Sequence, residues 1–121
     1  MDYDKEKQYE YLTRVLSSLP GSVYWKDLNG VYLGANQHAA EMIGFDTAKE
    51  LIGKTDYDLF TKEQADHFRK HDIQVMESGK EYTWEELSQS PHDSIPFVQL
   101  SSKKPLRDKN DKIIGIIGNT I

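Results

Sequence analysis

The sequence predicts an α+β domain in which one antiparallel sheet carries helices over one face. Segments rich in β-branched and aromatic residues occur near the start of the chain and again throughout its last third. Between them lies a block with helical periodicity and helix-capping residues. The 121 residues suffice for one domain with its own core. Strands divided around a helical block are typical of α+β folds.

Composition excludes several functional classes. The chain has 15 basic and 20 acidic residues, a net charge of −5, so we expect no nucleic-acid partner and no membrane contact by this segment. It has no cysteine, which excludes a disulfide framework, a cysteine nucleophile, a thiolate metal site and a covalent flavin–thiol adduct. The acidic N-terminus is not a signal peptide, and no apolar run approaches the roughly 20 residues of a membrane helix. We therefore expect a cytoplasmic location.

The first helix is predicted over residues 4–19, ending before Pro20-Gly21. Its apolar side chains recur at i, i+3, i+4 and i+7, which places them on one face. That face either packs on its own domain or pairs with a second copy of the chain. We predict a homodimer through residues 1–19. The predicted interface residues are Leu12, Val15, Leu16 and Leu19.

Two strands and several short helices follow. Strands are predicted over 22–27 and 31–35, and Asn29-Gly30 between them favours a type I′ hairpin turn. Asn36 is a suitable N-cap for a short helix that Gly44 can end. Thr47 and Glu50 have capping-box spacing. Residues 55–60 are predicted to form a tight helical turn.

The longest helix is predicted over residues 62–78. Thr61 and Gln64 form a capping box at its start, and Gly79 follows its end. Asp72 lies in the middle of its apolar stripe, Ala65, Phe68, Val75 and Met76. The carboxyl group is either a buried acid that accepts bonds from backbone amides or Tyr or Trp donors, which we favour, or a polar group facing a ligand.

The last third of the chain is predicted to be strand. The strands cover 81–87, 96–106 and 113–121, with a loop at 89–94 and a charged turn at 107–112. Helices packed on one face of such a sheet leave a concave cavity, a usual place for a small ligand.

Six short sequences, in this order, resemble those of the PAS sensor domain. They are PGSVYWKD at 20–27, NGVYLGAN at 29–36, IGKTDYDLF at 52–60, ESG at 77–79, PLRD at 105–108 and IIGIIG at 113–118. The resemblance covers residues 19–121. It implies a five-stranded antiparallel sheet with the last strand at its centre. It also implies a sensing and dimerisation module of bacterial signalling proteins, placed before an effector such as a histidine kinase or a cyclase, and not itself an enzyme.

The predicted ligand site combines the cavity faces of the strands with the apolar face of the long helix. Gly118 is included because a strand glycine marks a place where another group approaches the backbone closely. The predicted site residues are Val23, Trp25, Leu33, Ala35, Phe68, Asp72, Val75, Trp84, Val98, Leu100, Ser102, Ile114, Ile116 and Gly118.

No metal or cofactor is predicted. His67 and His71 have the i, i+4 spacing of metal ligands, but no glutamate stands beside the first, and both are predicted to be solvated surface residues off the apolar face. Haem-binding PAS domains carry their ligand histidine on this helix, where the matching residue here is Phe68, about 100° of helix rotation from His67. Trp25, Phe68 and Trp84 could stack on a noncovalent flavin or another aromatic ligand, or fill the core.

The sequence contains no activated nucleophile and no phosphate-binding loop, so it does not predict an enzyme. It predicts a sensory input domain over residues 20–121, which binds an unidentified small molecule and passes the signal through its termini to a C-terminal effector. The alternative is a PAS dimerisation and relay module without a ligand.

Overall fold

The structure is a computed structural model that describes residues 2–88 and 97–121. The helices are α1 (Asp2–Ser17), α2 (Gln37–Ile43), α3 (Asp56–Leu59) and α4 (Lys62–Ser78), and a 3₁₀ turn covers Ala48–Leu51. The strands are β1 (Ser22–Asp27), β2 (Tyr32–Ala35), β3 (Tyr82–Ser88), β4 (Phe97–Arg107) and β5 (Ile113–Thr120). Among the described residues, no helix combines the length and apolar character needed to cross a bilayer.

The five strands form one antiparallel sheet in the order β2-β1-β5-β4-β3. The last strand is central and pairs with β1 on one side and β4 on the other. This confirms the predicted α+β fold with its N-terminal flanking helix. The predicted loop at 89–94 and the first residue of the fourth predicted strand, Pro96, lie outside the described residues.

Local capping signals fix most helix ends where the sequence predicts them. The Asn36 side chain accepts a hydrogen bond from the Ala39 amide, and Gly44 ends α2 with φ 102°. Thr61 and Gln64 form the capping box of α4. The capping box predicted at Thr47 does not form: its side chain makes no capping bond.

The β1–β2 hairpin forms, but its turn is not the type I′ turn that Asn-Gly favours. A type I′ turn needs positive φ at both central residues. Gly30 has φ 82°, but Asn29 does not have positive φ, because Asp111 is the only non-glycine among the described residues that does. The Asp27 carboxylate instead accepts bonds from the amides of Asn29 and Val31. The register also shifts between Trp25 and Lys26, which marks a bulge.

The main apolar core lies at the β2 end of the sheet and is built largely from small residues. Four alanines and one leucine pack closely there, which allows α2 and the 3₁₀ turn to approach β2. Its buried members are Tyr32, Ala35, Ala39, Ala40, Ala48 and Leu51. Towards β3 and β4 the space between α4 and the sheet is not filled in this way, and a cavity opens there.

Candidate functional site

A cavity of about 1120 Å³ lies between the helices and the inner face of the sheet. A volume of this order accommodates a small organic molecule. Its lining is mixed: aromatic rings, apolar side chains and charged groups all reach it. The lining includes Tyr24, Lys26 and Tyr32 from β1 and β2, Asp56, Gln64, His67, Phe68 and His71 from the helices, Phe60 just after α3, and Trp84, Glu86, Gln99, Ser101 and Lys103 from β3 and β4.

A buried network of charges closes one side of the cavity. The Lys26 ammonium lies 2.7 Å from Asp56 and 2.9 Å from Asp72, and the Lys103 ammonium lies 2.8 Å from Asp72. The Tyr32 hydroxyl donates to Asp56 at 2.6 Å. The charged side chains are at most 5% exposed, and two cations balance two anions. Buried charges paired in this way hold one another in place, and removing one strands its partners.

The network sets the protonation states around it. Burial alone would raise the pKa of the Asp72 carboxyl, but the two ammonium groups outweigh burial and hold that pKa below its ordinary value. Burial raises the pKa of the Tyr24 phenol far above its usual range, and burial with the neighbouring Asp56 does the same for Tyr32. Both phenols therefore remain hydrogen-bond donors at neutral pH.

Asp72 is the buried acid that the sequence favoured, but its partners differ from the prediction. The carboxylate accepts from two lysine side chains. Lys26 and Lys103, the groups that sequence reasoning missed, stand inside predicted strands, where a charged residue on a buried face needs a counterion. The sequence signal that could have predicted this network was the combination of two lysines within predicted strands and one acid within the apolar stripe of a predicted helix.

Aromatic groups also line the cavity. Phe60 and Phe68 meet edge to face with ring centroids 5.1 Å apart. The Lys103 ammonium lies 5.5 Å from the Phe68 ring centre. On β3, the Trp84 ring stacks on that of His71, at 3.9 Å and with an interplanar angle of 3°. Phe68 and Trp84 thus line the cavity, and their contact with a ligand stays a prediction.

The prediction for the two histidines of α4 is wrong about their face. His67 and His71 both line the cavity, and the His71 side chain is only 13% exposed. Its Nδ1 atom lies 3.5 Å from the Glu86 carboxylate. Burial, with the nearby His67 and Lys103, lowers the pKa of His71 to about 4, so this imidazole is neutral at pH 7.

The cavity faces predicted for β1 and β4 are wrong. Tyr24 and Lys26 line the cavity, so Val23 and Trp25 lie on the other face. Likewise Gln99, Ser101 and Lys103 point inward, which places Val98, Leu100 and Ser102 outside. Val98 is 66% exposed, and Ser102 bonds to Thr83. In β4 the usual pattern is inverted, because Gln99, Ser101 and Lys103 face the polar cavity while Val98 and Leu100 face outward.

The remaining predicted site residues are placed as follows. Bulges leave Leu33 and Ile114 without a cross-strand partner, and both are exposed. Ala35 is buried in the apolar core, and Val75 and Ile116 are fully buried. A Cβ atom at Gly118 would lie 2.1 Å from the Tyr24 ring, so the group that approaches this glycine is Tyr24. Ligand binding by all these residues stays a prediction.

Comparison with known proteins gives one family and several relatives. A family profile described as "PAS fold" matches residues 16–120. A diguanylate cyclase of Vibrio cholerae serotype O1 is 30% identical over 114 residues, which are 93% of this chain and 35% of that protein. A structure of VqmA bound to DPO has 31% identity and a TM-score of 0.82, covering 92% of this chain and 56% of that one. A structure of the Vibrio cholerae VqmA dimer, described in the absence of its target DNA and in relation to LuxR-type receptors, has 31% identity and a TM-score of 0.83, covering 92% and 51%.

Proposed function

The chain belongs to the PAS family, and from this premise we propose that it is the sensory input domain of a bacterial signalling protein. It binds a small molecule in the cavity between helices and sheet and passes the signal through its termini. The chain spans about a third of the related diguanylate cyclase and about half of VqmA, so an effector belongs to this proposal. Residues 20–121 are the sensor, and residues 1–19 are its dimerisation helix.

The observation that carries this proposal is the cavity itself. It combines aromatic rings with ammonium and hydroxyl donors, which suits a flat, polar ring compound that accepts hydrogen bonds. Lys103 is the best-placed donor, because its bond to Asp72 uses one of three ammonium protons. VqmA, which is bound to DPO in one structure, supports a ligand in this class of domain.

We expect a ligand to raise the melting temperature of the protein and Phe68→Ala to abolish that rise. Phe68 lines the cavity, whereas Val98→Ala alters the outer face and is the matched control. The measurement is a thermal-shift screen with DPO as first probe, followed by small polar heterocycles. A ligand present at 100 times its dissociation constant stabilises by about 2.7 kcal/mol.

Two results of this screen would count against the proposal. If no compound stabilises the parent, the ligand-free dimerisation module is the better interpretation. If Phe68→Ala responds as Val98→Ala does, the compound binds somewhere other than the cavity.

We further propose that the domain is a homodimer through α1. At the end of this helix, the Leu16 carbonyl oxygen and the Ser17 hydroxyl accept hydrogen bonds from Asn36 and Gln37 of the domain. Its apolar residues are exposed, among them Leu12 at 59%. A contiguous apolar stripe left in water is typical of an interaction surface. VqmA is described as a dimer, which supports a homodimer here, and the assignment of the interface to α1 rests on the exposed apolar side chains of that helix.

Leu12→Glu should therefore convert the dimer to a monomer in sedimentation-velocity experiments. A carboxylate in an apolar helix pair has no counterion and is costly to bury. Leu28→Glu is the matched control, because Leu28 is similarly exposed, at 47%, but lies in the β1–β2 turn. A parent that sediments as a monomer at high concentration, or a Leu12→Glu variant that stays dimeric, would contradict this.

The wider setting is also proposed. We place the domain in the cytoplasm, in a two-component or cyclic-nucleotide signalling protein, and we assign catalysis to the effector. With a net charge of −5, this segment is a poor surface for nucleic acid, so any contact with DNA in the parent belongs to its other parts.

A further inference from the structure

Three potential metal ligands converge at the β3 side of the cavity. His67 and His71 stand one helical turn apart on α4, and Glu86 faces them from β3. One ligand atom from each residue lies within 4.8 Å of the other two. Two imidazoles and a carboxylate are a common donor set for divalent transition metals.

Two of these ligand atoms have no other role in the described part of the chain. His71 Nδ1 and Glu86 Oε1 are buried and have no hydrogen-bond partner. They lie 3.5 Å apart, beyond the usual range of a hydrogen bond. Buried polar atoms are nearly always satisfied, and a metal ion between these two atoms would satisfy both. Ligand atoms in a tetrahedral zinc site are separated by about 3.3 Å, given bonds of about 2.0–2.1 Å.

The surroundings hold the donors in a suitable arrangement. The face of the His71 ring is stacked on Trp84, which fixes the ring plane and leaves the nitrogen atoms at the ring edge available. His67 is exposed at the cavity, and its ring centre lies 4.4 Å from that of His71. The positive charge of Lys103 disfavours a second positive charge at His71, but the Asp72 carboxylate, 2.8 Å from the Lys103 ammonium, offsets this effect.

We propose that His67, His71 and Glu86 bind one divalent transition metal ion, of which zinc is the type, with its remaining coordination position open to the cavity. The sequence did not predict this site because its third ligand comes from a strand, 15 residues or more beyond the histidines. The proposal goes beyond small-molecule sensing and does not depend on it.

The test is a calorimetric titration of untagged, EDTA-treated protein with zinc chloride alone. We expect one zinc ion per chain, and a loss of affinity of more than about tenfold in His67→Gln and in Glu86→Gln. Both positions reach the cavity surface, and His67 is exposed, so that variant tests binding without disturbing the core. His38→Gln, an exposed histidine on α2, is the matched control and should bind as the parent does.

Several results would overturn the site. These are a parent that takes up no zinc, a His67→Gln or Glu86→Gln variant with parental affinity, and an equal loss in His38→Gln. Cobalt(II) provides a second readout, because its visible absorption strengthens when it becomes four-coordinate; we expect this increase in the parent, and its absence would also contradict the site. No organic compound is present in either experiment, so a negative result leaves the small-molecule proposal untouched.

Discussion

Replacing Asp72 by alanine is expected to lower the free energy of unfolding by about 3–5 kcal/mol. Hydrogen bonds alone would suggest about 1–3 kcal/mol. The larger loss follows because Asp72 is the counterion of two buried lysines, Lys26 and Lys103. Without it, Lys26 retains Asp56, whereas Lys103 loses the ion pair that the structure gives it. Urea unfolding followed by circular dichroism measures the change.

Asp66→Ala is the matched control on the same helix. Asp66 also pairs with a lysine, Lys62, but in water, and we expect little change in stability. If the alanine variant at Asp72 is not recovered folded, Asp72→Asn keeps the shape and removes only the charge. A parental unfolding curve for both Asp72 variants would mean that the lysine network does not hold the fold together.

Gly118→Val is expected to have two effects. It should lower the free energy of unfolding by at least about 1–3 kcal/mol, and it should abolish ligand binding. A Cβ atom at this position would lie 2.1 Å from the Tyr24 ring, so the ring must turn away, and the space beside it is the cavity. Thermal unfolding with and without ligand measures both effects.

Two comparisons sharpen this experiment. Gly118→Val combined with Tyr24→Ala should regain part of the lost stability, because the smaller side chain removes the clash. Gly115→Ala should be worse than Gly118→Ala, since its Cβ would lie 1.9 Å from the Lys26 carbonyl oxygen, a backbone atom that cannot rotate away. A Gly118→Val variant with parental stability would show that the Tyr24 ring is not fixed against this strand.

Local signals predict the elements of this fold well. Asn36 and Gly44, and likewise Thr61 and Gly79, satisfy or redirect backbone groups within one turn of their own position, so tertiary packing is not needed to read them. The resemblance then supplies the sheet order. The predicted type I′ turn at Asn29-Gly30 does not form because the neighbouring Asp27 carboxylate accepts bonds from the turn amides and favours another conformation.

The candidate site is predicted far less well. Alternation along a strand separates two faces, but it does not say which of them is inside. Assigning the apolar face to the cavity fails in β1 and β4 because the buried lysines Lys26 and Lys103 lie on the cavity face. Their counterions lie 30, 31 and 46 residues away in sequence, where no periodic pattern connects them.

The inverted pattern of β4 has a consequence for how a signal could leave the domain. In β4, Gln99 and Ser101 face the cavity while Val98 and Leu100 face outward, so adjacent residues lie on opposite faces of the sheet. The cavity face and the outer face of β4 are therefore separated by the strand backbone alone, with no layer of packed side chains between them. A displacement of the β4 backbone at Lys103, on the cavity face, would therefore also move Ser102 and Lys104 on the outer face. A compound bound in the cavity would then act on the inner face of the sheet, and a neighbouring molecule in contact with the outer face would detect the change.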